Sequence, residues 1–186
     1  MLMTRLAAIA ALAVACVFAS GCATPARSDQ MAISAAAVTR LTVPQVLKGS
    51  IAIRDVTGGR ETNPLWMSSV GSGEFERALS DSLRASGMLS ANRQAGAYLL
   101  TADLGKVDQP LLGFDMTVTT TVTYNLAERA TGRNVFQQSL STPYTARMSD
   151  AFLGVERLKL ANEGSVRSNI EQLIESLTRL RIDAAR

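Results

Sequence analysis

Few residues of this sequence belong to types that carry out chemistry. The 186 residues include no histidine, so the usual general base and the commonest metal ligand are both missing. Asp103, Asp108 and Asp115 fall near the ends of predicted strands, where two carboxylates together could do acid–base work or hold a hard cation. The simpler interpretation makes them solvated turn and edge residues. The sequence therefore predicts no catalytic, cofactor or metal site, and a hydrolase that uses carboxylates alone stays as a minor hypothesis.

The first 21 residues predict an export signal. Arg5 supplies a positive charge, the uncharged apolar segment from Leu6 to Phe18 follows it, and Ala19-Ser20-Gly21 are the small residues expected before a cleavage point. This apolar segment is too short to span a bilayer comfortably. Cys16 leaves with the signal, so Cys22 is the one cysteine of the mature chain.

The run Phe18-Ala19-Ser20-Gly21-Cys22 resembles the lipobox of bacterial lipoproteins, in which the cysteine is acylated and becomes the new N-terminus. The resemblance implies that Cys22 is the lipidation site and carries palmitate or similar chains. Two or three acyl chains hold a protein on a membrane far more firmly than one. Ala23, in a place where aspartate signals retention in the inner membrane, implies the periplasmic face of the outer membrane. A plain secretory signal with a coincidental cysteine is the alternative.

The charge of the chain is small and dispersed. Nineteen basic and sixteen acidic residues give a formal net charge of +3, and the basic residues form no stripe. A nucleic-acid-binding surface needs such a stripe, so nucleic acid is excluded as a partner. With the lipid anchor, the expected partners are the membrane and an envelope protein, with a lipid or glycolipid as a further candidate.

Composition divides the mature chain into a tether and one domain. Residues 22–34 are small and polar, which predicts a flexible tether that reaches about 40 Å when extended. Residues 35–186 form the domain, beginning with an edge strand over Ala35 to Val43 and a strand over Ser50 to Val56. The segment from Arg60 to Gly73 predicts a long ordered loop. Its Trp66 is either a partner contact or a cap on the apolar core.

Alternation and helical spacing predict the remaining elements. Phe75, Ala78, Leu79 and Leu83 predict a helix over residues 73–86, and a strand follows from Tyr98 to Val107. Threonines alternate with apolar residues in the next strand, which should bury one face and leave the other wet. A turn at residues 130–134 leads to a hairpin partner that ends at Pro143. The apolar face of the long strand comprises Phe114, Met116, Val118, Thr120, Val122, Tyr124 and Leu126.

The last predicted element is a helix over about residues 150–182, with a break or kink at Gly164. Its N-terminal half is less cleanly one-sided than the rest. Phe152 and Leu153 are therefore candidate partner contacts on a projecting segment, and the alternative is that this half packs on the domain.

Together the elements predict an α+β fold: a two-layer sandwich with a mostly antiparallel sheet of four to five strands and two helices on one face, in the order strand-helix-strand-strand-strand-helix. The chain resembles small bacterial lipoproteins of the YajG type and, more distantly, LptE and the N-terminal domains of TolB and CsgG. The residues that carry the resemblance are the lipobox ending in Cys22, Glu74-Phe75 through Gly87-Met88-Leu89, Ala97-Tyr98-Leu99-Leu100, Gly113-Phe114-Asp115 and Glu163-Gly164-Ser165-Val166-Arg167-Ser168-Asn169-Ile170.

These features predict a non-enzymatic, lipid-anchored protein of the bacterial envelope that works as a scaffold or assembly factor through protein contacts. The distant LptE resemblance implies an alternative, a module that handles lipid or lipopolysaccharide in a groove between sheet and helices.

Overall fold

Four strands and two long helices make up the fold. The structure is a computed structural model that describes residues 24–60, 62, 69–110 and 113–182. The strands form one sheet in the order β1-β2-β3-β4, and the predicted two-layer α+β sandwich is confirmed. The elements are α1 (Ser28–Met31), α2 (Ala35–Val38), a 3-10 turn (Gln45–Leu47), β1 (Ile51–Gly58), α3 (Ser72–Ala85), β2 (Tyr98–Asp108), β3 (Met116–Glu128), β4 (Asn134–Ala146) and α4 (Gly154–Thr178).

The sheet combines one crossover with a meander. β1 and β2 run parallel with α3 between them, and β2, β3 and β4 follow as antiparallel neighbours. β1 ends at Gly58, whose φ of 78° suits glycine. A side chain at this position would also meet the Leu104 carbonyl oxygen of β2 at 2.2 Å, so the close approach of the strands requires glycine.

Both long helices cover the same face of the sheet and enclose the core. α3 buries Phe75, Ala78, Leu79 and Leu83, as their spacing predicts. The inner face of β3 buries alternate residues from Met116 to Leu126, and the intervening threonines lie on the other face. No helix in the described part of the chain has the length and hydropathy that crossing a bilayer requires.

α4 is one continuous helix that packs on β3 and β4. The interpretation of its N-terminal half as a projecting segment is wrong, because Leu158 and Ala161 pack with Met116, Val118 and Ala146. Nor does Gly164 interrupt the helix. A side chain there would lie 2.4 Å from the Tyr144 ring, so glycine lets the helix approach β4 closely.

Three local predictions are wrong. Residues 35–38 form helix α2, capped by the Ser34 side chain, and not an edge strand. β4 continues through Pro143 to Ala146, because an edge strand has a hydrogen-bonding neighbour on one side only and tolerates a missing N–H. Phe114 precedes β3 and is 80% exposed, so it does not belong to the buried face.

The prediction of a flexible tether over residues 22–34 is wrong for its described part. Ala26, Met31 and Ile33 are buried, and α1 packs against both α3 and α4. The Ile33 N–H donates to Ser82 Oγ of α3 at 2.9 Å. Local composition could not reveal these partners, since they are more than forty residues away. The packed domain therefore begins by Ala26.

Candidate interaction surface

Large apolar side chains are exposed together at one end of the sheet. At this end, which we call the loop end, β1 and β2 finish, β3 begins, β4 finishes and α4 starts. Phe114 is 80% exposed, Phe152 83% and Leu153 60%, and Met148 is half exposed. Of the five large hydrophobic residues exposed in the described chain, four lie here. Concentrated apolar exposure of this kind makes the loop end a candidate interaction site.

Buried polar groups hold the two loops that carry these side chains. The Arg157 guanidinium is buried and donates to the carbonyl oxygens of Ala151 and Phe152, both at 2.7 Å, and to that of Gly113 at 3.4 Å. Asp115 accepts a hydrogen bond from the Met148 N–H at 3.0 Å. The segments around Phe114 and Phe152 are thereby fixed to each other, and their aromatic rings are presented on an ordered frame.

The first described residues, 24–34, form what we call the N-terminal segment, and this segment begins at the loop end. The Ala26 N–H donates to the Ser69 carbonyl oxygen at 3.4 Å, and the Arg27 N–H donates to Glu163 Oε1 at 2.9 Å. From there the chain runs between α3 and α4, where Arg167 donates to the Gln30 carbonyl oxygen and Ser34 donates to Glu171. These contacts fix where the residues that precede Ala26 leave the domain.

Glu163 is the one carboxylate of the described chain with an altered pKa and deep burial. Burial raises the pKa of its carboxyl group, while the hydrogen bond from the Arg27 N–H acts in the opposite direction. The carboxylate has a structural partner and faces the N-terminal segment. We assign it to the docking of that segment and not to catalysis.

A polar network inside the sandwich joins α4 to β3 and β4. The Asn169 amide donates to the carbonyl oxygens of Thr120 and Leu140 at 3.2 and 2.9 Å and accepts from the Tyr124 hydroxyl at 2.9 Å. Ser165 Oγ accepts from the Thr120 N–H at 2.9 Å. Burial raises the pKa of the Tyr124 phenol. Because these groups are buried and bonded to one another, the network connects the two layers and offers no reactive site.

The outer face of the sheet carries no covering element in the described chain. Its hydroxyl side chains pair across β3 and β4: Thr117 with Thr145 at 2.8 Å, Thr121 with Ser141 at 3.1 Å and Thr123 with Ser139 at 3.3 Å. The two edges of the sheet differ. β1 is eight residues long and contains Arg54 and Asp55, whereas β4 is thirteen residues long and contains no charged residue. Each pairs with its neighbour through one register shift.

A reactive pair would need two of the three aspartates at one place, but each aspartate has a separate partner. Asp103 accepts from Thr57 Oγ1 at 2.9 Å, Asp108 pairs with Lys106 at 2.7 Å, and Asp115 accepts from Met148. No group of three potential metal ligands occurs among the residues that the structure describes. All three are exposed. Asp108 ends β2 and Asp115 precedes β3, but the interpretation as a turn or edge residue is wrong for Asp103, which lies within β2 between β1 and β3.

The sequence-predicted site residues have different outcomes. Cys22 and Trp66 lie outside the described residues. Phe152 and Leu153 are exposed on the loop end, as a contact surface requires, and their role stays a prediction. Sequence reasoning missed the exposure of Phe114 and the support from Arg157.

Comparison with known proteins shows likeness of fold only. No family model matches the sequence, and no curated protein is significantly similar to it. The fold is similar to the crystal structure of a Xanthomonas campestris protein assigned to the family DUF330, with a TM-score of 0.53, 12% identity and coverage of 75% of this chain and 91% of that one. A minor lipoprotein from Acinetobacter baumannii aligns with a TM-score of 0.49, 16% identity and coverage of 73% and 93%.

Proposed function

We propose that this chain is a lipid-anchored protein of the bacterial envelope whose domain binds an envelope protein and catalyses no reaction. The observation that carries the proposal is the β4 edge. Exposed strand edges invite pairing with another chain, and proteins that must avoid it place charges, prolines or bulges there. β4 has a register shift near its first residues and Pro143 near its last, but no charge over thirteen residues. A partner strand can therefore add to it by main-chain hydrogen bonds.

The anchor is supported by the sequence and by the docking of the N-terminal segment. The lipobox-like run ends at Cys22, and Ala26 is already packed on the domain. An acylated Cys22 would therefore keep the domain at the membrane surface. We place the protein on the periplasmic face of the outer membrane, because Ala23 does not match the retention signal for the inner membrane.

The alternative of a lipid-handling module needs a groove that an acyl chain can enter between sheet and helices. In the described chain the inner side chains are buried, twelve of the largest almost completely. Two surface grooves of the described chain, of about 440 and 420 Å³, lie along α2 and α4 and beside Gly58. Neither opens between the layers. The packing favours a binding surface over a lipid channel.

Site-specific crosslinking in living cells tests the β4 edge. A photo-crosslinking residue replaces Ser141 on β4 in one variant and Arg54 on β1 in a matched control, both exposed positions on edge strands. We expect a discrete adduct with another envelope protein from Ser141 and none from Arg54. Absence of an adduct at Ser141, or equal adducts at both positions, would contradict the proposal. An adduct of twice the mass of this chain would identify the partner as a second copy.

The anchor has its own test. Radiolabelled palmitate should enter the wild-type chain, and Cys22→Ser should abolish both the labelling and the recovery of the protein in membranes. Unchanged membrane association of the Cys22→Ser variant would show that another feature holds the protein there.

A further inference from the structure

We propose that the loop end rests against the same lipid leaflet that holds Cys22, with Phe114, Phe152 and Leu153 inserted among the lipid headgroups. This inference depends on the proposed acylation of Cys22 and deepens it, because it assigns an orientation and a second, non-covalent membrane contact. The occupant is a lipid surface and not a protein.

The reach of the N-terminal residues selects this end of the domain. Arg27 is the fifth residue after Cys22, so the anchor lies at most about 18 Å from the point where Glu163 holds the chain. Along α4, Glu163 lies about 14 Å from the helix start at Gly154 and about 22 Å from its end at Thr178. The anchor can reach the level of the loop end but not that of the opposite end.

The exposed side chains have the chemistry of a membrane contact. Phenylalanine and leucine are among the residues that enter the boundary between headgroups and acyl chains. Phe114 and Phe152 are 80% and 83% exposed, so water surrounds rings that a lipid surface would cover. The Arg157 hydrogen bonds hold both loops in place, and insertion therefore does not require the loops to become ordered.

The proposed contact between the loop end and the lipid surface depends on apolar insertion and not on attraction between basic residues and acidic lipids. At this end Lys106 pairs with Asp108, Lys159 with Glu156 and Arg27 with Asp29. Two further carboxylates lie beside Arg147, because Asp150 accepts from the Arg147 N–H and Asp115 from the Met148 N–H. We expect the contact to be insensitive to the fraction of anionic lipid and to salt.

Fluorescence quenching on the acylated full-length protein tests the orientation. The mature chain has no cysteine besides Cys22, so one introduced cysteine gives a unique labelling site. Phe152→Cys carries an environment-sensitive dye at the loop end, and Thr131→Cys carries it at the exposed hairpin turn at the opposite end of the sheet. Both proteins are reconstituted into vesicles of phosphatidylethanolamine and phosphatidylglycerol that contain a nitroxide-labelled lipid.

We expect the lipid-borne nitroxide to quench the dye at residue 152 at least twofold more than the dye at residue 131, with the reverse order for iodide in water. Equal iodide quenching at the two sites would mean that the loop end faces solvent and would overturn the inference. Protection from both quenchers would mean that a protein covers it, which also overturns the inference.

A second variant tests the apolar contact without relying on one label. A dye on Phe114→Cys is compared in the otherwise unchanged chain and in the Phe152→Glu, Leu153→Glu background. Both substituted residues are exposed, so the fold should tolerate the charges. We expect lipid quenching at residue 114 to fall at least twofold in the charged background, and unchanged quenching would contradict the proposed insertion. Palmitate labelling of each sample separates these outcomes from a failure of the anchor itself.

Discussion

Small hydroxyl residues occur on both faces of β3 and β4 and behave in opposite ways on the two faces. On the inner face, Thr120 and Thr142 are buried and bonded to α4. On the outer face, Thr121 and Ser141 are neighbours of those residues along the strands but bond only to each other at the surface. The contribution of a hydroxyl group to stability here therefore depends on whether a helix covers that face of the strand and not on the residue type.

Because the polar groups of the inner face are buried, each one needs its hydrogen-bond partner. A buried polar group that loses its partner costs its full desolvation free energy, whereas an exposed one turns to water. The outer pairs therefore contribute little to stability and leave that face free for other contacts. Substitutions of the buried inner groups should therefore lower the free energy of unfolding more than substitutions of the exposed outer pairs.

Asn169 should be the most sensitive residue of the inner network. Asn169→Leu leaves the Tyr124 hydroxyl and the carbonyl oxygens of Thr120 and Leu140 without their partner. We expect the free energy of unfolding to fall by about 4 kcal/mol, measured by urea denaturation. A loss below about 1 kcal/mol would mean that water or a shifted side chain replaces the amide and that the network is not closed.

Gly164 should also be sensitive to substitution by alanine, although alanine has the higher helix propensity. Alanine is favoured over glycine within a helix by about 1 kcal/mol, but its Cβ would overlap the Tyr144 ring at this position. We expect Gly164→Ala to lower the free energy of unfolding by about 2 kcal/mol. Gly73→Ala in α3 is the matched control, since nothing lies within 4 Å of the added atom. Stabilisation by both substitutions would show that Tyr144 moves aside freely.

Adjacent threonines of β3 allow the most direct comparison of the two faces. Thr120→Val removes the hydroxyl that lies 2.7 Å from Ser165 Oγ, and we expect a loss of about 1.5 kcal/mol. Thr121→Val removes an exposed hydroxyl and should change the free energy of unfolding by less than about 0.5 kcal/mol. Chemical denaturation of the two variants measures both values. Equal losses would remove the distinction between the faces.

Glu163 should give a pH dependence of stability. Burial raises the pKa of Glu163 in the folded state above the ordinary value of 4.5. Between these two pKa values the folded protein therefore binds more protons than the unfolded one. The free energy of unfolding consequently falls as the pH rises from 4.5 through the raised pKa. Glu163→Gln keeps an acceptor for the Arg27 N–H but does not titrate. We expect the stability of this variant to exceed that of the wild type increasingly as the pH rises from 4.5, in denaturation curves at several pH values. A constant difference would contradict a raised pKa.

Periodic segments were predictable, and contacts between distant segments were not. The alternation from Met116 to Leu126 and the helical spacing from Phe75 to Leu83 define buried faces, because these periods match the pleat of a strand and the turn of a helix. The docking of Met31 and Ile33 was missed, since the helices against which this segment packs lie far along the chain; the Ile33 N–H, for example, donates to Ser82 Oγ of α3. Phe152 and Leu153 were found as contact candidates, whereas Arg157 was not, because its carbonyl acceptors belong to loops without a period.

From the sequence alone follow the order of the four strands and the two long helices, the buried face of the long strand, and the lipobox-like run at Cys22. These properties follow from local spacing and from short motifs. Only the tertiary structure decided that residues 26–33 are packed, that β4 is an uncharged edge and that exposed apolar residues gather where the N-terminal segment leaves the domain. Such features depend on which distant groups meet, and that depends on the packing of the two layers, since no local pattern records it.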